Sequence, residues 1–168
     1  TEVKIGYDGI AIANSKKGVN FHLSTRDLYL ALAKDVPADI NGKTVKPNPY
    51  KRWIEINPTY PDLPIVVYGP PPTSGTRDAL NELGIERGCK TYPERKKLKE
   101  SNKKLYKSEC RAIRTDGAYI EAGENDNLII EKLITNPDSL GIFGYSFLDE
   151  NRDKVKPATI NGVSPEFE

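Results

Sequence analysis

Residues 69–80 read GPPPTSGTRDAL, and the way this stretch joins its flanks decides the fold. Ahead of it, Ile65, Val66, Val67 and Tyr68 form a short β-branched run that reads as a strand, and behind it Ala79, Leu80 and Leu83 recur at helical spacing. Three prolines stiffen the connection, so the stretch is a strand–loop–helix junction. The first N–H groups of a helix lack intrahelical partners, and the aligned peptide dipoles leave partial positive charge at that end. Ser74 or Thr73 can cap it, Gly75 lets a ligand approach the backbone, Thr76 adds a hydroxyl, and Arg77 adds a planar donor fork suited to a tetrahedral oxyanion. The same residues also fit a plainer role, in which Ser74 caps a structural helix and Arg77 is a solvated charge.

On the N-terminal side, residues 3–13, VKIGYDGIAIA, read as a strand broken near Gly6 to Gly9. Ser24, Thr25, Arg26 and Asp27 resemble a capping box and predict a helix over about 25–34 that carries Leu28, Ala31 and Leu32. The proline-bearing residues 37–49 form a loop, and YKRWIEI suggests a short helix holding the only tryptophan, Trp53. On the C-terminal side, the lysine- and arginine-rich residues 92–107 read as a solvated helix with Leu98 and Leu105 as apolar anchors. Residues 111–114 and 118–121 read as short strands, 125–135 as a helix with Leu128, Ile129 and Leu133, and 140–147, LGIFGYSF, as a buried strand. Strands alternating with helices imply an α/β sheet. Without an internal repeat or a low-complexity linker, residues 1–168 are expected to form one domain. A second loop-to-helix junction, Gly123 to Asn127, could face the first across a crevice at the carboxyl ends of the strands, or could simply start a helix.

Composition limits the chemistry. The 168 residues have a net charge of +1 and 37% hydrophobic content, which predicts a soluble domain with a core and argues against a dedicated nucleic-acid binder. No apolar run approaches the roughly 18 residues needed to cross a bilayer, and the first residues lack the basic and apolar regions of a signal peptide. The sequence contains no methionine, so Thr1 reads as the start of a processed product, an excised segment or an engineered piece. Cys89 and Cys110 are either a single bridge or two thiols, and no further cysteine exists to complete a metal-ligand cluster, so neither metal nor cofactor is expected. His22 is the only histidine and has no evident nucleophile beside it. Ser74 is outside a G-x-S-x-G elbow, and the loop lacks the G-K-[ST] ending of a nucleotide-binding loop, so a small anion fits better than a nucleotide.

An ordered series of segments carries a resemblance: YDGIAIANSKKG, DLYLALA, Trp53 followed by EINP, YGPPPTSGTRDAL, DGAYIEAGENDNLI and NPDSLGIFGYSFLDENRDKVK. The chain is similar to the phosphate-binding proteins of bacterial ABC transporters, which have the periplasmic-binding-protein fold. That resemblance implies two α/β lobes joined by hinge strands, with phosphate dehydrated between them. Residues 1–168 resemble the second lobe alone, a mixed, mostly parallel sheet flanked by helices, entered near Val3. The first lobe's Ser/Thr-bearing loop and its proton-accepting carboxylate have no counterpart here. The implied phosphate ligands are Ser74, Gly75, Thr76 and Arg77 with Thr73 beside them. Asn125 and Glu124 fall in a second loop near the cleft, and Arg114 with Asp116 could orient the site from behind. The basic segment reads as an insertion closed by a Cys89–Cys110 disulfide.

By the same resemblance the chain is a non-enzymatic, periplasmic or extracellular receptor lobe. It would capture inorganic phosphate for a membrane ABC permease, and the face left by the absent lobe is a candidate surface for self-association. The alternatives are a phosphate-handling hydrolase with Ser74 as nucleophile, and a receptor lobe for sulfate or molybdate.

Overall fold

The computed structural model describes residues 10–122 and 125–162; the part of the expected 3–13 strand before residue 10, Gly123, Glu124 and the tail after Gly162 lie outside the described residues. In chain order the strands are β1 (Ala11–Ser15), β2 (His22–Leu23), β3 (Asp35–Pro37), β4 (Val45–Pro47), β5 (Val67–Gly69), β6 (Tyr119–Glu121), β7 (Leu140–Phe143), β8 (Val155–Pro157) and β9 (Thr159–Ile160). The helices are α1 (Thr25–Leu32), α2 (Trp53–Ile56), α3 (Gly75–Leu80), α4 (Glu86–Cys89), α5 (Pro93–Ser101), α6 (Lys103–Arg111), α7 (Asp126–Thr135) and α8 (Tyr145–Glu150), with a π-helical turn at Asn81–Ile85. The chain divides into two compact units: one takes in the residues through Leu23, Val66–Leu80 and those from Tyr119 onward, the other Ser24–Ile65 and Asn81–Ala118.

In the first unit the sheet order is β6-β5-β7-β1-β8. Strand β5 runs parallel to both β6 and β7, whereas β1 is antiparallel to β7 and β8, so the mixed α/β class is as expected. Helix α7 supplies Ile129, Ile130 and Leu133 to a core shared with Ala11, Ala13, Phe143, Leu148 and Val155. Burying each large aliphatic side chain there stabilises the unit by about 1.5–3 kcal/mol relative to exposure. A Cβ on Gly141 would sit 2.7 Å from Ile129 Cγ2 and 2.9 Å from Leu133 Cδ1, so a glycine in β7 is what lets α7 rest on the sheet. The run 140–147 is not one strand: β7 ends at Phe143, and Gly144 is the N-cap of α8. A short apolar run has no periodicity that separates a buried strand from the start of a half-buried helix.

In the second unit, the Ser24 hydroxyl accepts the Asp27 N–H at 3.0 Å and starts α1 as the capping pattern predicts. Helix α1 buries Leu28, Tyr29, Ala31 and Leu32. Helix α4 approaches it so closely that a Cβ on Gly88 would lie 2.2 Å from the Thr25 carbonyl oxygen. The turn between β3 and β4 is held by Asp39, which accepts backbone N–H groups from Thr44, Lys43 and Asn41, and these bonds pull its carboxyl down to about 2.

Two expectations for the basic segment change. Residues 92–107 are not one helix, because Asn102 ends α5 and caps α6, its side-chain oxygen accepting the Leu105 N–H at 3.1 Å. The strand expected at 111–114 gives way to the last turn of α6, after which Ile113 forms a single bridge with Ala33. Nor is the segment wholly solvated, since Arg95 is buried, donates to the Gly42 carbonyl at 2.7 Å and pairs with Glu109. Cys89 and Cys110 are disulfide-bonded with their Cα atoms 5.6 Å apart, and the bond ties α4 to α6.

Candidate functional site

The candidate site lies in the first unit, where β5 ends at Gly69 and the proline loop leads into α3. Parallel pairing sets the surroundings: Val67 is opposite Tyr119 and Gly69 is opposite Glu121. Gly69 leaves room for its neighbour, since a Cβ there would come within 2.3 Å of the Tyr119 hydroxyl. That hydroxyl donates to the Pro70 carbonyl at 2.7 Å. Burial, followed by the opposing influences of Arg77 and Glu121, pushes the Tyr119 phenol up to about 12, so it stays a donor at neutral pH.

Beyond the prolines the Ser74 N–H donates to the Pro71 carbonyl at 3.0 Å, closing a turn, and the Ser74 carbonyl accepts from Arg77 N–H at 3.1 Å. The Ser74 hydroxyl oxygen accepts the Thr76 N–H at 3.1 Å, which leaves its own hydrogen for an incoming acceptor. Gly75 is open, with no atom within 4 Å of a Cβ built on it. Thr73 and Gly75 are exposed, and Ser74, Thr76 and Arg77 are half-buried.

Arg77 is held at the root of the loop. Its Nη1 donates to the Pro70 carbonyl at 3.1 Å and lies 3.8 Å from a Glu121 carboxylate oxygen, and its guanidinium carbon is 5.2 Å from the centre of the Tyr119 ring. Only 12% of its side chain is exposed, and its Nε is buried without a hydrogen-bond partner. The guanidinium therefore has donor capacity in reserve. Hydroxyl, backbone and guanidinium donors are the groups that an oxyanion can accept from.

Asn125, also in the first unit, caps α7 by accepting the Asn127 N–H at 2.9 Å. Beside it Asp126 accepts the Gly144 N–H at 3.3 Å, and burial raises its carboxyl above the ordinary range. Arg114 belongs to the second unit, where it is 3% exposed, grips Asp116 with two bonds and donates to the Ala31 and Tyr50 carbonyls. The lone histidine, His22, is 3.0 Å from the Thr159 hydroxyl through Nδ1. The residues that sequence reasoning passed over are Tyr119 and Glu121. Only knowledge that β5 pairs with β6 would have brought them to the loop.

The chain's residues 1–166 match the model of the PBP superfamily domain. The chain belongs to that family. Among curated relatives of this PBP superfamily domain, Protein SphX of Synechococcus elongatus is 25% identical over 159 residues, which span 95% of this chain and 36% of that protein. Phosphate-binding protein PstS of Staphylococcus haemolyticus is 26% identical over 160 residues, 95% of this chain and 37% of its own length. The domain thus spans little more than a third of these relatives. Two solved structures share its fold: PstS from Borrelia burgdorferi, with a TM-score of 0.61 at 17% identity over 99% of this chain and 56% of that one, and a possible phosphate binding protein from Planctomyces limnophilus, with 0.60 at 19% over 95% and 45%. No helix among the described residues of the PBP superfamily domain is long and apolar enough to cross a membrane.

Proposed function

We propose that this domain is one lobe of a phosphate receptor that serves an ABC-type importer, working in the periplasm or outside the cell without catalysing a reaction. Inorganic phosphate would sit at the start of α3 with the hydroxyls of Ser74 and Thr76, the open backbone at Gly75 and the Arg77 guanidinium as donors, Thr73 flanking them and Asn125 approaching from the second junction. The observation that carries this reading is the loop itself. Ser74 keeps a free hydroxyl hydrogen beside an unobstructed glycine, and Arg77, on the first turn of α3, holds an unpartnered Nε. The name of the PstS relative, a phosphate-binding protein, supplies the ligand. Arg114 is left out of the contact set because its bonds hold the second unit together. As nucleophile Ser74 would need a base, and its hydroxyl oxygen is instead engaged by the Thr76 N–H.

A lobe on its own leaves one side of the anion in water, where solvent competes and salt screens. Binding should therefore be in the millimolar range, about 4 kcal/mol. Calorimetric titration of the chain with phosphate and then sulfate tests this, with Arg77→Ala expected to abolish the heat and Lys96→Ala to leave it unchanged. Saturable binding that survives Arg77→Ala, or a preference for sulfate, would sink the reading. Release of product from an aryl phosphate, lost in Ser74→Ala, would replace it with a hydrolase.

A further inference from the structure

A second feature lies wholly in the other unit and does not depend on the phosphate-lobe reading. Helices α4, α5 and α6 enclose a groove of about 440 Å³. Six cationic side chains line it: Arg87 and Lys90 from the end of α4, Lys99 from α5, and Lys103, Lys107 and Arg111 from α6. Only two carboxylates face them, Glu82 and Glu86, and Glu86 is already engaged by Arg111 at 2.8 Å. Among the described residues no carboxylate pairs with Arg87, Lys90, Lys99, Lys103 or Lys107. Lys103, Lys107 and Arg111 follow one another at four-residue spacing along one face of α6, an arrangement of like charges that destabilises a helix unless something neutralises it.

The groove also holds an unsatisfied donor. Tyr106, on its wall, is 2% exposed, and its hydroxyl is buried without a hydrogen-bond partner. Buried hydroxyls normally find an acceptor; the charges that act on this one are the Glu86 carboxylate and the Arg111 guanidinium, and an anion drawn in by the lysines that line the groove would supply the acceptor. We propose that this groove binds a small anion carrying several phosphate groups, such as a condensed phosphate, with Lys103, Lys107 and the Tyr106 hydroxyl as its principal contacts. Charges contributed by three separate helices exceed what one phosphate can meet. The concave shape, with its only aromatic ring buried, offers no stacking platform for a nucleic-acid strand.

The test is calorimetric titration of the intact chain with sodium tripolyphosphate at low ionic strength. The expected result is saturable one-to-one binding, weakened about tenfold in the exposed double variant Lys103→Gln with Lys107→Gln and several-fold in Tyr106→Phe. Lys96→Gln with Lys104→Gln makes the same change in net charge outside the groove and should alter affinity by less than about twofold. Absence of saturable binding, unchanged affinity in either groove variant, or an equal loss in the outside variant overturns the proposal.

Discussion

Arg77 and Tyr119 share one acceptor. The arginine Nη1 and the tyrosine hydroxyl both donate to the Pro70 carbonyl, at 3.1 and 2.7 Å, while the guanidinium carbon lies 5.2 Å from the centre of the tyrosine ring. The cation proposed to meet phosphate, on α3, is thus anchored just past the end of β5 beside Tyr119 of β6, and Glu121, two residues beyond Tyr119, lies 3.8 Å from it and competes for it.

That competition predicts the effect of Glu121→Gln. The carboxylate is half-exposed, so its hold on Arg77 is worth only about 0.2–1 kcal/mol. Removing it should strengthen phosphate binding by up to about fivefold. Paired calorimetric titrations of the two proteins check this, and weaker binding in the variant would mean that Glu121 positions the arginine rather than restraining it.

The disulfide predicts a redox dependence. Cys89 and Cys110 are bonded to each other, so the unfolded, unreduced chain should show no free sulfhydryl, and the reduced chain should show two. Closing a loop of this length lowers the entropy of the unfolded chain, and its loss should cost about 3 kcal/mol. Urea unfolding of the Cys89→Ala, Cys110→Ala variant measures that cost.

Arg114→Lys should destabilise the protein by about 2–3 kcal/mol, because an ammonium cannot reach Asp116 and the Ala31 and Tyr50 carbonyls from one rigid fork. Asp116→Asn should cost less, about 1 kcal/mol, since that carboxylate is 44% exposed and water replaces its partner. Equal losses in chemical denaturation would show that the ion pair matters more than the buried carbonyl bonds.

Alkaline stability follows from the tyrosines. Burial foremost pushes Tyr106 and Tyr119 up to about 12, and burial raises Tyr29, Tyr60 and Tyr92 as well. A phenol holds its proton more tightly folded than unfolded, so its contribution is complete below the unfolded value of about 10 and is lost as pH rises through about 12. The urea midpoint should be flat up to pH of about 9 and fall steeply above 10, less steeply in Tyr106→Phe. A midpoint that holds constant across that range would contradict the burial of these hydroxyls.

The sequence by itself determined the features that depend on neighbours along the chain. Ser24 and Asn125 could be read as caps because a cap bonds to N–H groups two or three residues away. The junction at 69–80 was legible for the same reason: proline and glycine restrict or free the backbone where they stand. The Asn102 break carried a local signal too, an asparagine before two lysines, but continuous basic composition hid it. Tertiary structure decided the rest. Whether 140–147 continues as a strand past Phe143 depends on the strands that flank β7, because hydrophobicity alone does not distinguish the two conformations. The division into two units, the pairing of β5 with β6, and hence the placing of Tyr119 and Glu121 on Arg77, join residues about 40 to 50 positions apart in sequence. Such contacts form only when the loop-closure entropy is offset by packing of the whole sheet, and no local pattern of residues encodes that balance.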